Sequence, residues 1–225
     1  MNTPSRPRAT KIICTIGPAT DTSDMLGQLI EAGANVFRLN MSHSKHDWVR
    51  EVVFRIRRKA AELEANVAIL FDLQGPSIRT GDLAEPYHLK KGDTVEIRLG
   101  TAKPELPFST TVNYDGLLQD VQAGHTMVVD NGGILMRIAE VRPDRLICDV
   151  LTEGVFGSRR HINLPGVALR LPALTEKDLA DLAVAVECET DYVAMSFVRD
   201  AAHIAQLREH IDNLGGKAQI VAKIE

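Results

Sequence analysis

Residues 67–81, VAILFDLQGPSIRTG, hold the two readings that decide the fold. Residues 67–71 are apolar without alternation, the mark of a short strand buried on both faces, as in a parallel sheet covered by helices. Beyond Gly81 that rhythm stops, so the stretch joins two regions of different kind.

Upstream, strands and helices alternate. Residues 11–16 (KIICTI) form an apolar run closed by Gly17-Pro18, a strand ending in a turn. Residues 21–24 supply capping groups for a helix whose Leu26, Leu29 and Ile30 share one face and which Gly33 ends. Residues 35–39 (NVFRL) are a second strand. Over 47–63, Trp48, Val52, Ile56, Ala60 and Leu63 recur at helical spacing, leaving Arg55, Arg57, Arg58 and Lys59 as the solvated face.

Downstream, residues 82–166 contain short β-like runs (TVEIRL, TMVVD, ILMRIAEV, RLICDVL) broken by Gly, Pro, Asn and Asp, with no helical periodicity. This predicts a compact all-β module inserted into an α/β domain, with segments 1–81, 82–166 and 167–225. The α/β rhythm then returns. Thr175 and Asp178 open a helix with Leu179, Leu182, Ala183 and Val186 as its expected buried face. Residues 192–197 (YVAMSF) are a fourth strand. Asp200 caps a helix carrying Ile204, Leu207 and Ile211, ended by Gly215-Gly216, and residues 219–224 (QIVAKI) are a fifth strand. Repeated βα units with one β insertion fit an open doubly wound sheet or a (β/α)₈ barrel.

Composition narrows the functional classes. With 44% hydrophobic and 25% charged residues and a net charge of -4, the chain reads as a soluble globular protein with no general attraction to nucleic acid or anionic membranes. Its 4% aromatic content argues against a base-stacking platform. Cys14, Cys148 and Cys188 form neither a disulfide framework nor a zinc pattern, and the N-terminal residues lack the apolar stretch of a signal peptide. A cytoplasmic location is therefore expected. Neither GxxxxGK[ST] nor GxGxxG occurs. No histidine pair has zinc spacing, and His46, His88, His125, His203 and His210 read as surface or core residues.

The polar residues cluster at strand ends. Arg38, Asn40, Ser42 and His43 follow the second strand, and Asp72 and Arg79 the third. Ser196 and Arg199 follow the fourth, and Lys223 and Glu225 the fifth. Any one of them is an ordinary solvated loop residue. Four consecutive strand ends, however, converge on the C-terminal face of a parallel barrel, where active sites are built. Arg38, Arg79 and Lys223 are cations suited to phosphate oxygens, and Asp72 and Glu225 are hard oxygen ligands of the kind Mg²⁺ or K⁺ takes.

TKIICTIGPAT (10–20), NVFRLNMSHS (35–44), ILFDLQGPSIRTG (69–81), HINLPG (161–166), LPALTEKD (171–178), MSFVRD (195–200) and VAKIE (221–225) resemble successive pyruvate kinase signatures in order and spacing. The resemblance implies a partial (β/α)₈ (TIM) barrel with an all-β lid inserted after its third strand. It implies transfer of phosphate from phosphoenolpyruvate to ADP, giving pyruvate and ATP, with Mg²⁺ (or Mn²⁺) and K⁺ as candidate cofactors and a homotetramer as the full-length assembly. By the same resemblance Arg38 contacts substrate phosphate. Lys223 binds substrate and is the catalytic residue, stabilising the phosphoryl group in transit. Asn40, Ser42, Asp72 and the main chain of Leu73 surround K⁺, and Glu225 binds Mg²⁺. Asn40, Ser42, His43, Arg79 and Arg160 are the implied nucleotide contacts.

Two departures qualify the pattern. Arg160, His161, Ile162 and Asn163 stand where many members have Lys followed by Gly-Val-Asn, and Ser77 stands where members carry Glu or Lys. The sequence supplies five of the family's eight barrel strands, so the 225-residue chain alone is expected to be inactive. Two other readings stand beside this one. The first is a truncated, non-catalytic paralogue that binds phosphoenolpyruvate, nucleotide or a partner. The second is a phosphoenolpyruvate/pyruvate-type barrel lyase, against which the inserted lid and the LPALTEKD segment argue.

Overall fold

The computed structural model describes residues 9–224. In chain order the elements are β1 (Ile13–Ile16), α1 (Ser23–Glu31), β2 (Val36–Asn40), α2 (His46–Glu62) and β3 (Ala68–Asp72). Next come β4 (Tyr87–Leu89), β5 (Thr94–Arg98), β6 (Phe108–Thr111), α3 (Leu117–Asp120), β7 (Thr126–Val129), β8 (Ile134–Val141), β9 (Arg145–Val150), β10 (Gly154–Phe156) and β11 (Ile162–Asn163). The chain closes with α4 (Glu176–Glu187), β12 (Tyr192–Met195), α5 (Ala201–Asn213) and β13 (Gln219–Ala222). These elements form two compact units: one runs up to Pro76 and resumes at Pro172, and the other spans Ser77–Leu171.

In the first unit five parallel strands lie in the order β1-β2-β3-β12-β13. A doubly wound sheet reverses its strand order at a switch point. Here each strand lies beside its predecessor within the unit without reversal, the arrangement of a (β/α)₈ barrel. Register is close at the site: Arg38 pairs with Thr15 on one side and Leu70 on the other, and Asp72 pairs with both Asn40 and Ala194. The helices bury their apolar faces on the sheet through Leu26, Val52, Ile56, Leu182, Leu207 and Ile211, which join Phe37, Leu39, Phe71 and Val193 in one core.

Two readings of the helices change. In α4 the buried residues are Asp178, Asp181, Leu182, Val184 and Ala185, whereas Leu179 and Ala183 face solvent. The helix is rotated because two carboxylates, counted as polar in the pattern, turn inward to bond neighbouring loops. Arg57 of α2 is not simply solvated: its guanidinium donates to Glu189 O and Asp191 Oδ2, tying α2 to the start of β12. The capping box of α4 is present, with the Thr175 hydroxyl accepting from Asp178 N and the Asp178 carboxylate from Thr175 N.

The second unit has its own core, including Val95, Ile97, Met127, Met136, Leu146 and Phe156. Six strands run in the order β11-β7-β8-β9-β5-β6, antiparallel except for β5 with β6, and β4 pairs separately with β10. Its helical content is α3, a single turn of four residues. No helix among the described residues is long and apolar enough to cross a membrane.

Candidate functional site

Asp72 is the centre of the cluster in the first unit. It ends β3 and is 3% exposed. Its Oδ2 accepts from Arg38 Nε at 2.7 Å and its Oδ1 from Lys223 Nζ at 3.0 Å. Arg38 comes from β2, and Lys223 follows β13 directly. Strand pleating explains why Arg38 and Asp72 meet: Leu70, in register with Arg38, lies two residues before Asp72, so all three project to the same face. A buried carboxylate needs this company, because an unpaired charge at such a depth is costly.

Further bonds hold the cluster in place. Arg38 Nη1 donates to Thr15 Oγ1 at 2.8 Å, and Lys223 Nζ also donates to Ser196 Oγ at 2.8 Å. Ser196 Oγ in turn donates to the main-chain carbonyl of Leu73 at 2.7 Å. Thr15 was not singled out in the sequence, and it meets Arg38 because the two are in register across β1 and β2. Phe197, next after Ser196, has φ +57, an unusual conformation for a bulky residue and a mark of local strain.

Asn40 and Ser42 lie on the turn after β2. Asn40 Oδ1 accepts from Ser42 N at 3.2 Å, and its carbonyl accepts from Ser44 Oγ at 2.8 Å. Met41 between them is buried, and its N–H donates to Asp72 O at 3.0 Å. The structure therefore brings Arg38, Asn40, Ser42, Asp72, Leu73 and Lys223 to one end of the sheet. His43 is exposed on the same turn.

The set Asn40 Oδ1, Ser42 Oγ, Asp72 carboxylate and Leu73 carbonyl consists of hard oxygens alone, the chemistry of an alkali or alkaline-earth site. Arg38 and Lys223 together outweigh the single charge of Asp72, so the cluster is net positive, which suits a phosphate group and penalises a divalent cation more than a monovalent one. Glu225, the expected Mg²⁺ ligand, lies outside the described residues. Among the described residues no group of three or more His, Cys, Asp or Glu could hold a metal ion.

Arg79 and Arg160 belong to the second unit. Arg79 Nη1 donates to Arg159 O, and an isolated antiparallel bridge joins Arg79 to His161. Arg160 N donates to Thr80 Oγ1 at 2.8 Å, and its guanidinium lies 3.3 Å from the Asp130 carboxylate. Gly157 makes room for that guanidinium: a Cβ there would sit 2.8 Å from Nη2. The neighbouring Arg159 pairs with Asp82, whose carboxyl this hydrogen bond holds below the usual range.

Residues 7–225 match the family model of the pyruvate kinase barrel domain. The chain belongs to the pyruvate kinase family. It is 38% identical over 225 residues to plastidial pyruvate kinase 2 of Arabidopsis thaliana, covering 99% of this chain and 38% of that protein. It is 36% identical to the chloroplastic pyruvate kinase isozyme G of Nicotiana tabacum, covering 97% of this chain and 39% of that one. A pyruvate kinase of Staphylococcus aureus (strain USA300) is 35% identical over 221 residues, 97% of this chain and 38% of its own length. The chain thus spans about two fifths of the length of these relatives. Membership in the pyruvate kinase family also removes the support for a barrel lyase.

Proposed function

We propose that this chain supplies the phosphoenolpyruvate-binding part of a pyruvate kinase, which moves the phosphoryl group from the enol oxygen of phosphoenolpyruvate to the β-phosphate of ADP. The enolate left behind takes a proton to become pyruvate. The observation that carries the reading is the pairing of Arg38 and Lys223 on the one buried carboxylate of Asp72. Two cations pre-positioned without substrate cost no reorganisation when phosphate arrives, and phosphoryl transfer depends chiefly on such positioning and charge neutralisation.

In this reading Arg38 holds the substrate phosphate, and Lys223 follows the phosphoryl group as its charge shifts. Asn40, Ser42, Asp72 and Leu73 O would hold K⁺, which when bound supplies positive charge beside the phosphoryl oxygens. Mg²⁺ or Mn²⁺ would take Glu225 as a ligand. Arg79, Arg160 and His43, with Asn40 and Ser42, are the proposed nucleotide contacts. The homotetramer and the cytoplasmic location remain part of the same proposal.

The test is a coupled pyruvate-formation assay on the 225 residues joined to the C-terminal three fifths of a pyruvate kinase relative, beside the 225 residues alone. Turnover is expected in the joined form only, with Lys223→Ala lowering its kcat by about 10²–10³-fold. Joined protein that folds and binds phosphoenolpyruvate without forming pyruvate would favour a non-catalytic binding role. Undiminished turnover in Lys223→Ala would refute the role given to that residue.

A further inference from the structure

Beyond the residues already assigned, α4 sends a second set of groups toward the turn after β2. Lys177 Nζ donates to the main-chain carbonyl of Met41 at 2.6 Å and to Asp181 Oδ2 at 2.6 Å. Asp181 is fully buried, and its other oxygen lies 2.7 Å from His46 Nε2 at the start of α2. Met41 is thus held from both sides, its N–H by Asp72 O and its carbonyl by Lys177. It lies between Asn40 and Ser42 in the chain, so the direction of its two peptide planes sets where Asn40 Oδ1 and Ser42 Oγ point.

We propose that Lys177, Asp181 and His46 are positioning residues for the monovalent-cation site. This rests on the reading of Asn40, Ser42, Asp72 and Leu73 as cation ligands. Asp181 fixes the ammonium of Lys177 and the ring of His46 at once, so the turn 41–45 is fastened to α4 at both ends, through Met41 O and through His46. A cation held by oxygens on a turn tolerates little displacement of that turn, and outer-shell partners of metal ligands commonly control affinity without touching the metal.

The experiment titrates thallous ion, a K⁺ mimic, into the full polypeptide carrying these residues, following ²⁰⁵Tl NMR relaxation, with circular dichroism as the check on folding. Lys177→Met is expected to weaken thallous binding about tenfold, with Lys177→Arg recovering part of the loss. Asp181→Asn, which keeps the volume and a partner for His46, is expected to weaken it by a smaller factor and serves if Lys177→Met does not fold. Asp72→Asn separates the two readings. If it abolishes binding while folded Lys177→Met or Asp181→Asn binds like the parent, the positioning role is overturned and the cation site stands. If the parent binds no thallous ion, or Asp72→Asn leaves binding intact, the cation-site reading fails and the positioning role with it.

Discussion

The buried carboxylate of Asp178, in the first turn of α4, accepts the main-chain N–H of Gly75 at 3.0 Å. The same carboxylate accepts from Thr175 N and Oγ1 through its other oxygen, so one side chain caps a helix and ties down the loop after β3. That loop begins at Leu73, whose carbonyl Ser196 engages.

The closeness of this loop to β12 makes Gly75 hard to replace. It has φ +69, and an added Cβ would lie 2.9 Å from Phe197 Cδ2 and 3.1 Å from the Ser196 carbonyl. Gly75→Ala is expected to destabilise the protein by about 1–3 kcal/mol, from strain and displaced neighbours. Asp178→Ala should cost about the same, because it leaves the Gly75 N–H without its partner. Urea unfolding of both variants measures this, and midpoints equal to the parent's would contradict it.

Acid should weaken the second unit through Glu96. Burial pushes the Glu96 carboxyl up, but hydrogen bonds from Ser109, from the main chain at Glu105 and Leu106, and from Arg145 outweigh it and hold the group below its usual value. A depressed carboxyl stabilises the fold above its unfolded pKa, near 4.5, and that stability is lost as pH falls through the folded value. Stability should therefore decline below about pH 4.5. Glu96→Gln should flatten that decline and lower stability at neutral pH by about 1–2 kcal/mol, since Arg145 loses its buried partner but keeps its pairs with Asp144 and Glu105. An unchanged acid limb in Glu96→Gln would show that other groups govern it.

Cys148 should resist thiol reagents. It is fully buried on β9, and burial, with a smaller contribution from Asp149, raises its thiol to about 12. The thiolate is the reactive form, so iodoacetamide at pH 8 should label Cys148 at less than about a hundredth of the rate for unfolded chain. Peptide mass spectrometry with and without denaturant reads the ratio. Rapid labelling in the native protein would mean that this core opens readily.

Residues 77–171 should fold by themselves. Their core is built from their own strands, and the buried Glu96–Arg145 pair lies wholly within them. Expressed separately, the segment is expected to give dispersed amide resonances of β type. A narrow, random-coil amide spectrum would show that its strands need the rest of the chain.

Much of this protein could be read from local pattern. The apolar runs 67–71 and 192–195, the Thr175–Asp178 capping box and the turn residues after Gly81 all report on interactions between near neighbours in the chain. Asp72 at the end of β3 and Lys223 just after β13 were equally legible, whereas Arg38 lies in the middle of β2 and reaches the site because pleating sends it to the same face. What the tertiary structure alone decided was pairing. The strand order distinguished a barrel from a doubly wound sheet, which the same run of elements allowed. The buried face of α4 differs from the expected Leu179, Leu182, Ala183 and Val186 because hydrophobic periodicity gives no weight to carboxylates, and Asp178 and Asp181 both turn inward. Their partners, Gly75 and His46, are more than a hundred residues away. A buried charge is stabilised by groups that only the closed chain brings within hydrogen-bonding distance, and no local pattern records them.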